Sequence, residues 1–138
     1  MKFNTRIRYG IRALLDIALE ESENGVFQKD ISKRQQISVK YLDNIITALK
    51  TEGLITNKKG KKSGYKLTRK PSEINILDIN NAFEPGINIV DCISNNYSCN
   101  LANTCGVRNF WKGLNTSITE YFESYNLEDL INEHKKRQ

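Results

Sequence analysis

Apolar residues recur at the three- and four-residue spacing of an amphipathic helix over the first fifty positions of the chain. The spacing predicts a first helix over residues 5–20, a short second helix over 28–35 and a third helix that runs to residue 52. Ser38 precedes the third helix and suits an N-cap, because its hydroxyl can accept a hydrogen bond from a free backbone N–H. Gly53 follows this helix and is typical of a helix end. Three helices are therefore expected before residue 54.

The pattern then changes from helical spacing to short β-type runs. Leu54–Asn57 and Tyr65–Thr68 are predicted to be two strands around a lysine- and glycine-rich turn at residues 58–64. This hairpin, residues 54–68, is termed the wing. Three helices followed by a hairpin with a basic tip are typical of a winged helix-turn-helix, in which the third helix is the recognition helix.

The second half of the chain is predicted to be helical on either side of a polar loop. A fourth helix is expected over residues 76–84, capped by Asn75, and a fifth over 107–125, with a last short helix capped by Asn126. Residues 86–106, termed the cysteine loop, show no sustained apolar period. A structureless loop of about twenty residues is unusual in a compact domain unless it is functional or disordered.

The fifth helix carries an apolar stripe that is rich in aromatic residues. A chain of 138 residues has little left to cover this stripe once the first three helices pack together. An intramolecular core is the alternative, but we favour an antiparallel helix pair across a homodimer interface. The predicted dimerisation residues are Trp111, Leu114, Ile118, Tyr121, Phe122 and Tyr125. The expected fold is mainly α with a small β wing, divided into a DNA-binding domain (1–70) and a part with the loop and the dimerisation helix (71–138).

Charge is distributed unevenly between these two parts. Residues 1–70 hold 16 Lys/Arg and 7 Asp/Glu, a net charge of +9, whereas residues 71–138 have a net charge of −4. A field of this kind attracts polyanions, and nucleic acid is the commonest of them. No run of residues is apolar and long enough for a membrane helix or a signal peptide, so the expected location is the cytoplasm, without a membrane partner.

The DNA contacts are expected from the recognition helix and the wing. The recognition helix would enter the major groove by its N-terminal end. The wing would contact phosphate or lie in the minor groove. A solvated basic hairpin is the alternative interpretation of the wing alone. The predicted contacts are Ser38, Lys40, Tyr41, Asp43 and Asn44 from the helix and Lys58, Lys59, Lys61 and Lys62 from the wing.

Cys92, Cys99 and Cys105 are the only cysteines, and all three fall in the cysteine loop. An odd number argues against a closed disulfide framework. Neither the close pair of a zinc site nor the C-x-x-C of a redox dithiol is present, whereas wider spacing suits an iron-sulfur cluster. A mono-zinc site, a persulfide-type thiol site and simple packing are the alternatives.

These residues together resemble the IscR/NsrR/CymR type of bacterial winged-helix transcription regulators over nearly the whole chain. The matching residues are Arg8-Tyr9-Gly10, Ala13-Leu14-Leu15-Asp16, Ile31-Ser32, Ile37-Ser38-Val39-Lys40-Tyr41-Leu42, Leu49, Gly53-Leu54-Ile55, Gly60, Gly64-Tyr65-Lys66-Leu67 and Trp111. The resemblance implies a homodimer on a partly palindromic operator in double-stranded DNA. It also implies DNA contacts at Lys40, Asp43 and Lys59, and a 2Fe-2S or 4Fe-4S cluster on the three cysteines whose state sets operator affinity.

The fourth cluster ligand departs from the pattern of the family. The IscR branch has a His three residues after the last Cys, where this chain has Arg108, and the NsrR branch uses an acid where this chain has Arg8. His134 lies in a basic tail and suits a solvated surface role. The fourth position would be filled by a group such as Asn103, by an exogenous thiol or water, or left open.

Two other functions are compatible with the same residues. The first is a cluster-free regulator of the same fold, controlled by thiol oxidation or by a protein partner. The second is a thiol-dependent catalyst, but this needs a base beside a low-pKa cysteine, and no such constellation is recognisable. The sequence therefore predicts a redox-sensing regulator rather than an enzyme.

Overall fold

The computed structural model describes residues 3–94 and 99–138. The α-helices in these residues are α1 (Thr5–Leu19), α2 (Gln28–Gln35), α3 (Val39–Thr51), α4 (Ile76–Asn81), α5 (Arg108–Ser124) and α6 (Leu127–Lys136). The strands are β1 (Ile55–Asn57) and β2 (Tyr65–Leu67), and short 3-10 turns lie at Pro71–Glu73 and Asp91–Ile93. The predicted fold class, mainly helical with a small β wing, is confirmed.

Helices α1, α2 and α3 pack around one apolar core because each buries the stripe that its spacing predicts. Leu14, Ile31, Leu42 and Ile45 are completely buried there. Burying a side chain of this size contributes about 1.5–3 kcal/mol relative to leaving it exposed. The core therefore fixes how the recognition helix α3 is presented to solvent.

An ion pair between a buried carboxylate and a partly exposed guanidinium joins α1 to α2. The Asp16 carboxylate is almost inaccessible, and the Arg34 guanidinium donates to both of its oxygens, with Nη2 lying 2.8 Å from Oδ2. Gln35 Nε2 adds a third donor at 3.0 Å. The hydrogen bond to Asp16 raises the pKa of Arg34 above its usual range, so the guanidinium stays charged. The pair thus links α1 to the last turn of α2, just before the turn into the recognition helix.

The turn between α2 and α3 has the geometry of a helix-turn-helix. Gln36 adopts a left-handed conformation with φ 55°, and Ile37 is buried beneath it. Ser38 Oγ then accepts from Tyr41 N at 3.1 Å, which confirms the predicted N-cap. Gly53, with φ 78°, ends the helix as expected.

The wing is a two-stranded antiparallel hairpin whose base is attached to the turn after α1. Ile55 pairs with Leu67, and Tyr65 exchanges two backbone hydrogen bonds with Val26 at 2.8 and 2.9 Å. A Cβ on Gly64 would lie 2.5 Å from backbone atoms of Gly25 and Val26, so only glycine permits this approach. The wing is therefore held against the helical core by backbone contacts.

Helices α4 and α6 extend the same core. Asn75 and Asp78 form the predicted capping box of α4. Leu127 at the start of α6 is completely buried, and its N–H donates to the carbonyl of Ile74 at 2.8 Å. The end of the chain thus packs against α1. The division into parts at residue 70 stays a prediction.

Two predictions in this half were wrong, the end of α4 and the lack of structure in the cysteine loop. Helix α4 ends at Asn81 rather than residue 84, because the Asn80 amide donates to the carbonyls of Glu84 and Gly86 and turns the chain. The cysteine loop has more structure than predicted, since the Asn115 side chain of α5 bonds the backbone of Ile87 and Ile89. The predicted loop residues 95–98 lie outside the described residues.

Candidate DNA-binding surface and cysteine loop

The N-terminal end of α3 presents polar side chains to solvent. Ser38, Lys40, Asp43 and Asn44 are exposed, whereas Leu42 on the opposite side of the helix is completely buried. The positive end of the helix dipole and these polar side chains are both at the N-terminal end of α3. This is the end that enters the major groove in helix-turn-helix proteins. The structure thus places four of the five predicted helix contacts on one accessible surface.

Tyr41 occupies a different environment from its neighbours. Its ring is partly buried and packs edge-on against the ring of Tyr9 in α1, with centroids 5.7 Å apart. Aromatic pairs of this geometry add stability beyond the area they bury. Tyr41 therefore contributes to the attachment of α3 to α1, and its part in binding DNA stays a prediction.

One contact at this surface was not predicted from the sequence. Gln28, the first residue of α2, donates from Nε2 to Asp43 Oδ1 at 2.6 Å and to the Val39 carbonyl at 3.1 Å. Val39 itself is about half exposed beside Lys40. No local pattern signals this link, because Gln28 and Asp43 are fifteen residues apart.

The lysines of the wing fall into two groups. Lys61 and Lys62 are exposed at its tip. Lys58 Nζ donates to the Ser22 carbonyl at 2.7 Å, and Lys59 Nζ lies 3.4 Å from Glu23 Oε1. Exposed ion pairs of this kind are weak and are screened by salt. A phosphate group can therefore compete for the lysine at position 59.

The three cysteine thiols are partly buried, and none forms a disulfide. In residues 3–94 and 99–138, no three His, Cys, Asp or Glu side chains lie close enough together to hold a metal ion. The structure thus leaves the three predicted ligands in one loop without bringing them into a coordination site. Their chemistry suits iron and sulfur, because thiolates are the usual ligands of such clusters.

Arg108 begins α5, three residues after Cys105, and turns its side chain into the cysteine loop. Nη1 donates to the Ala102 carbonyl at 3.3 Å. Nε is buried and has no acceptor among the described residues. A buried donor without a partner costs free energy unless an acceptor is present.

Helix α5 has no buried residue in the single chain. Leu114, Tyr121 and Tyr125 of the predicted stripe are exposed, with Tyr121 62% accessible, whereas Trp111, Ile118 and Phe122 are partly buried. Phe122 alone of the six packs against the helical core, and its ring stacks on Phe3. A hydrogen bond with Tyr121 raises the pKa of the Tyr125 hydroxyl above its usual value.

A helix-turn-helix whose second helix has an exposed N-terminal end, followed by a basic hairpin, defines a winged helix-turn-helix DNA-binding protein. The chain belongs to the Rrf2 family, since its residues 3–133 match the family model described as an iron-dependent transcriptional regulator. The resemblance found in the sequence is confirmed. The chain is accordingly a transcription regulator and not an enzyme.

Individual relatives agree with this assignment. Protein rrf2 of Nitratidesulfovibrio vulgaris is 39% identical over 131 residues, which cover 95% of this chain and 87% of the relative. The solved structure of T. potens IscR superposes with a TM-score of 0.77 at 28% identity, over all of this chain and 91% of that one. CymR of B. subtilis, named a global cysteine regulator, gives a TM-score of 0.76 at 26% identity, over 96% and 97% of the two chains.

The described residues contain no helix with both the length and the apolar character needed to cross a lipid bilayer.

Proposed function

We propose that the protein is a homodimeric, sequence-specific regulator whose operator binding responds to an iron-sulfur cluster held by Cys92, Cys99 and Cys105. The observations that carry the DNA-binding part are the exposed polar N-terminal end of α3 and the exposed lysines Lys59, Lys61 and Lys62 of the wing. The part concerning iron rests on membership of a family described as iron-dependent, together with three free thiols in one loop.

Each DNA-binding element has a separate role in this proposal. Lys40, Asp43 and Asn44 contact base edges in the major groove, where each base pair presents a distinct pattern of donors and acceptors. Lys59, Lys61 and Lys62 contact phosphates, which give affinity without sequence preference. The partner is therefore double-stranded DNA, and the protein works in the cytoplasm with the chromosome.

The dimer is supported by the exposed stripe of α5. Leu114 and Tyr121 are exposed, and an apolar stripe that faces water along a whole helix is unfavourable. A second copy of the helix would cover both stripes at once. Two copies related by a two-fold axis would place their recognition helices on two half-sites of a partly palindromic operator.

The cluster would be either 2Fe-2S or 4Fe-4S and would be held after the loop closes around it. A bound cluster supplies a group whose charge and integrity change with oxidants or with iron supply. The residues of this chain connect the cluster to the dimer helix. The three thiolates would order the loop, and the loop contacts α5 through Asn115 and Arg108. Loop order is thereby coupled to the position of the dimer helix.

A cluster-free regulator is the second candidate. It is favoured by the lack of a metal-holding group of side chains among the described residues and by the likeness to CymR, which is named a cysteine regulator. In this version, oxidation of the thiols or a protein partner replaces the cluster.

Purification without oxygen separates these two candidates. The absorption spectrum, iron content and acid-labile sulfide content are measured on the full chain. The proposal expects visible absorption with stoichiometric iron and sulfide that disappear when Cys99 is replaced by Ser. Colourless, iron-free protein would remove the cluster and favour the second candidate.

A further inference from the structure

We infer that Gln28 is a positioning residue for sequence recognition: it fixes the carboxylate of Asp43 so that this carboxylate reads the amino group of a cytosine in the major groove. The inference rests on the proposed function, because it deepens the base contact assigned to Asp43. It adds a residue of α2 to a recognition surface that otherwise belongs to α3.

The geometry of the contact fixes the orientation of the Gln28 amide. Nε2 lies 2.6 Å from Asp43 Oδ1 and 3.1 Å from the Val39 carbonyl oxygen. Both neighbours are acceptors, so the NH2 end of the amide must face them, and its two N–H donors are both used. The amide oxygen of Gln28 then faces away from α3.

This arrangement leaves an acceptor surface at the recognition helix. Asp43 is exposed, and its Oδ2 has no hydrogen-bond partner among the described residues. Thr47 bonds the Asp43 carbonyl and not its carboxylate. The free oxygens of Asp43 and Gln28 can therefore accept, but not donate, hydrogen bonds.

An acceptor surface discriminates between base pairs by charge. The major-groove edge of guanine carries two acceptors, N7 and O6, which repel a carboxylate, and adenine places its N7 acceptor beside the amino group. The N4 amino group of cytosine has an acceptor on one side only, O6 of the paired guanine, whereas the adenine amino group lies between its own N7 and O4 of the paired thymine. A carboxylate held in one orientation cannot swing away from a wrong base, so the hydrogen bond from Gln28 increases the preference for cytosine.

The test is a double-mutant cycle on operator DNA. The operator and the base pair that depends on Asp43 are first found by selecting bound duplexes from a randomised library with the wild-type chain and with Asp43→Ala. Affinities of wild type, Gln28→Ala, Asp43→Ala and the double variant are then measured on two duplexes that differ only at that pair. Gln28→Ala should reduce the preference for cytosine about threefold to tenfold, and the double variant should lose no more than Asp43→Ala alone.

Gln35→Ala is the matched control. This substitution also removes a glutamine of α2 that donates to an aspartate of a neighbouring helix, since Gln35 Nε2 lies 3.0 Å from Asp16 Oδ1 in α1. Among the described residues, Gln35 makes no such hydrogen bond to α3. Its base preference should equal that of wild type even if its unfolding temperature falls. A merely structural role of Gln28 would likewise lower stability without changing preference at one base pair.

The outcomes separate this inference from the function on which it rests. If the wild-type chain selects no DNA sequence, the proposed function fails. If it selects an operator and Asp43→Ala changes one base pair, but Gln28→Ala changes none or adds fully to Asp43→Ala, only the role of Gln28 is overturned. A preference of wild type for another base at that pair would overturn the assignment to cytosine.

Discussion

Lys59 in the wing is paired in the free protein with the carboxylate of Glu23, in the turn after α1. Its Nζ lies 3.4 Å from Glu23 Oε1, and Glu23 is well exposed. In the proposed complex, DNA binding would exchange this weak contact for a phosphate and release counterions from the duplex. The gain is electrostatic and does not depend on the base sequence.

Lys59→Ala should therefore weaken binding on operator and random DNA alike. The slope of log affinity against log salt should fall by about 1, as expected for one lost phosphate contact. Asp43→Ala is the contrasting variant, since it should mainly change sequence preference. Titrations of both variants at several salt concentrations check this. If Asp43→Ala, like Lys59→Ala, lost affinity equally on operator and random DNA, the groove assignment would be wrong.

At the scale of elements, the wing depends on one close approach between two stretches of backbone. Gly64→Ala would place a Cβ 2.5 Å from the backbone of Gly25 and Val26, which cannot move aside as a side chain can. We expect a loss of about 1–3 kcal/mol in the free energy of unfolding, with weaker DNA binding as the wing detaches.

Gly113→Ala is the control for this prediction. An added Cβ there meets nothing within 4 Å in α5, so the variant should not lose stability. Urea unfolding of both variants measures the difference. Unchanged stability of Gly64→Ala would contradict the described attachment of the wing.

The cysteine loop yields a second prediction at this scale. Arg108 stands where the resemblance places a histidine ligand, and a protonated guanidinium has no lone pair to offer iron. Arg108→His should therefore supply a fourth ligand and slow the loss of iron in air. The rate of bleaching of the anaerobic spectrum measures this, with Arg108→Ala as the control. If Arg108→His bleached as fast as wild type or faster, this would contradict the idea that the chain leaves the fourth ligand position of the cluster open.

The sequence predicted the elements well, and it missed the contacts between them. Ser38 and Gly53 mark helix ends through local chemistry, so the bounds of α3 were predicted within a residue. The link from Gln28 to Asp43 and the approach of Gly64 to Gly25 join distant residues, and no periodicity encodes them. The early end of α4 has a different and local origin, since the Asn80 amide bonds the carbonyls of Glu84 and Gly86 just beyond the helix.

The whole molecule is proposed to act as a pair of copies joined through α5. Tyr121→Glu should shift the chain towards monomer and reduce operator affinity more than affinity for a single half-site, because it places a charge in the apolar stripe. Thr116→Glu adds the same charge about 140° around the helix and should leave the dimer intact. Sedimentation of both variants checks the prediction. A dimeric Tyr121→Glu would contradict this use of α5.

The central claim is that the state of the three cysteines sets how the dimer binds its operator. The most direct measurement is operator affinity, without oxygen, of the wild-type chain and of the variant in which Cys92, Cys99 and Cys105 are all replaced by Ser. We predict affinities that differ about tenfold or more, a coupling of about 1.4 kcal/mol, while both proteins remain dimeric. Equal affinities of the two dimers would contradict the claim.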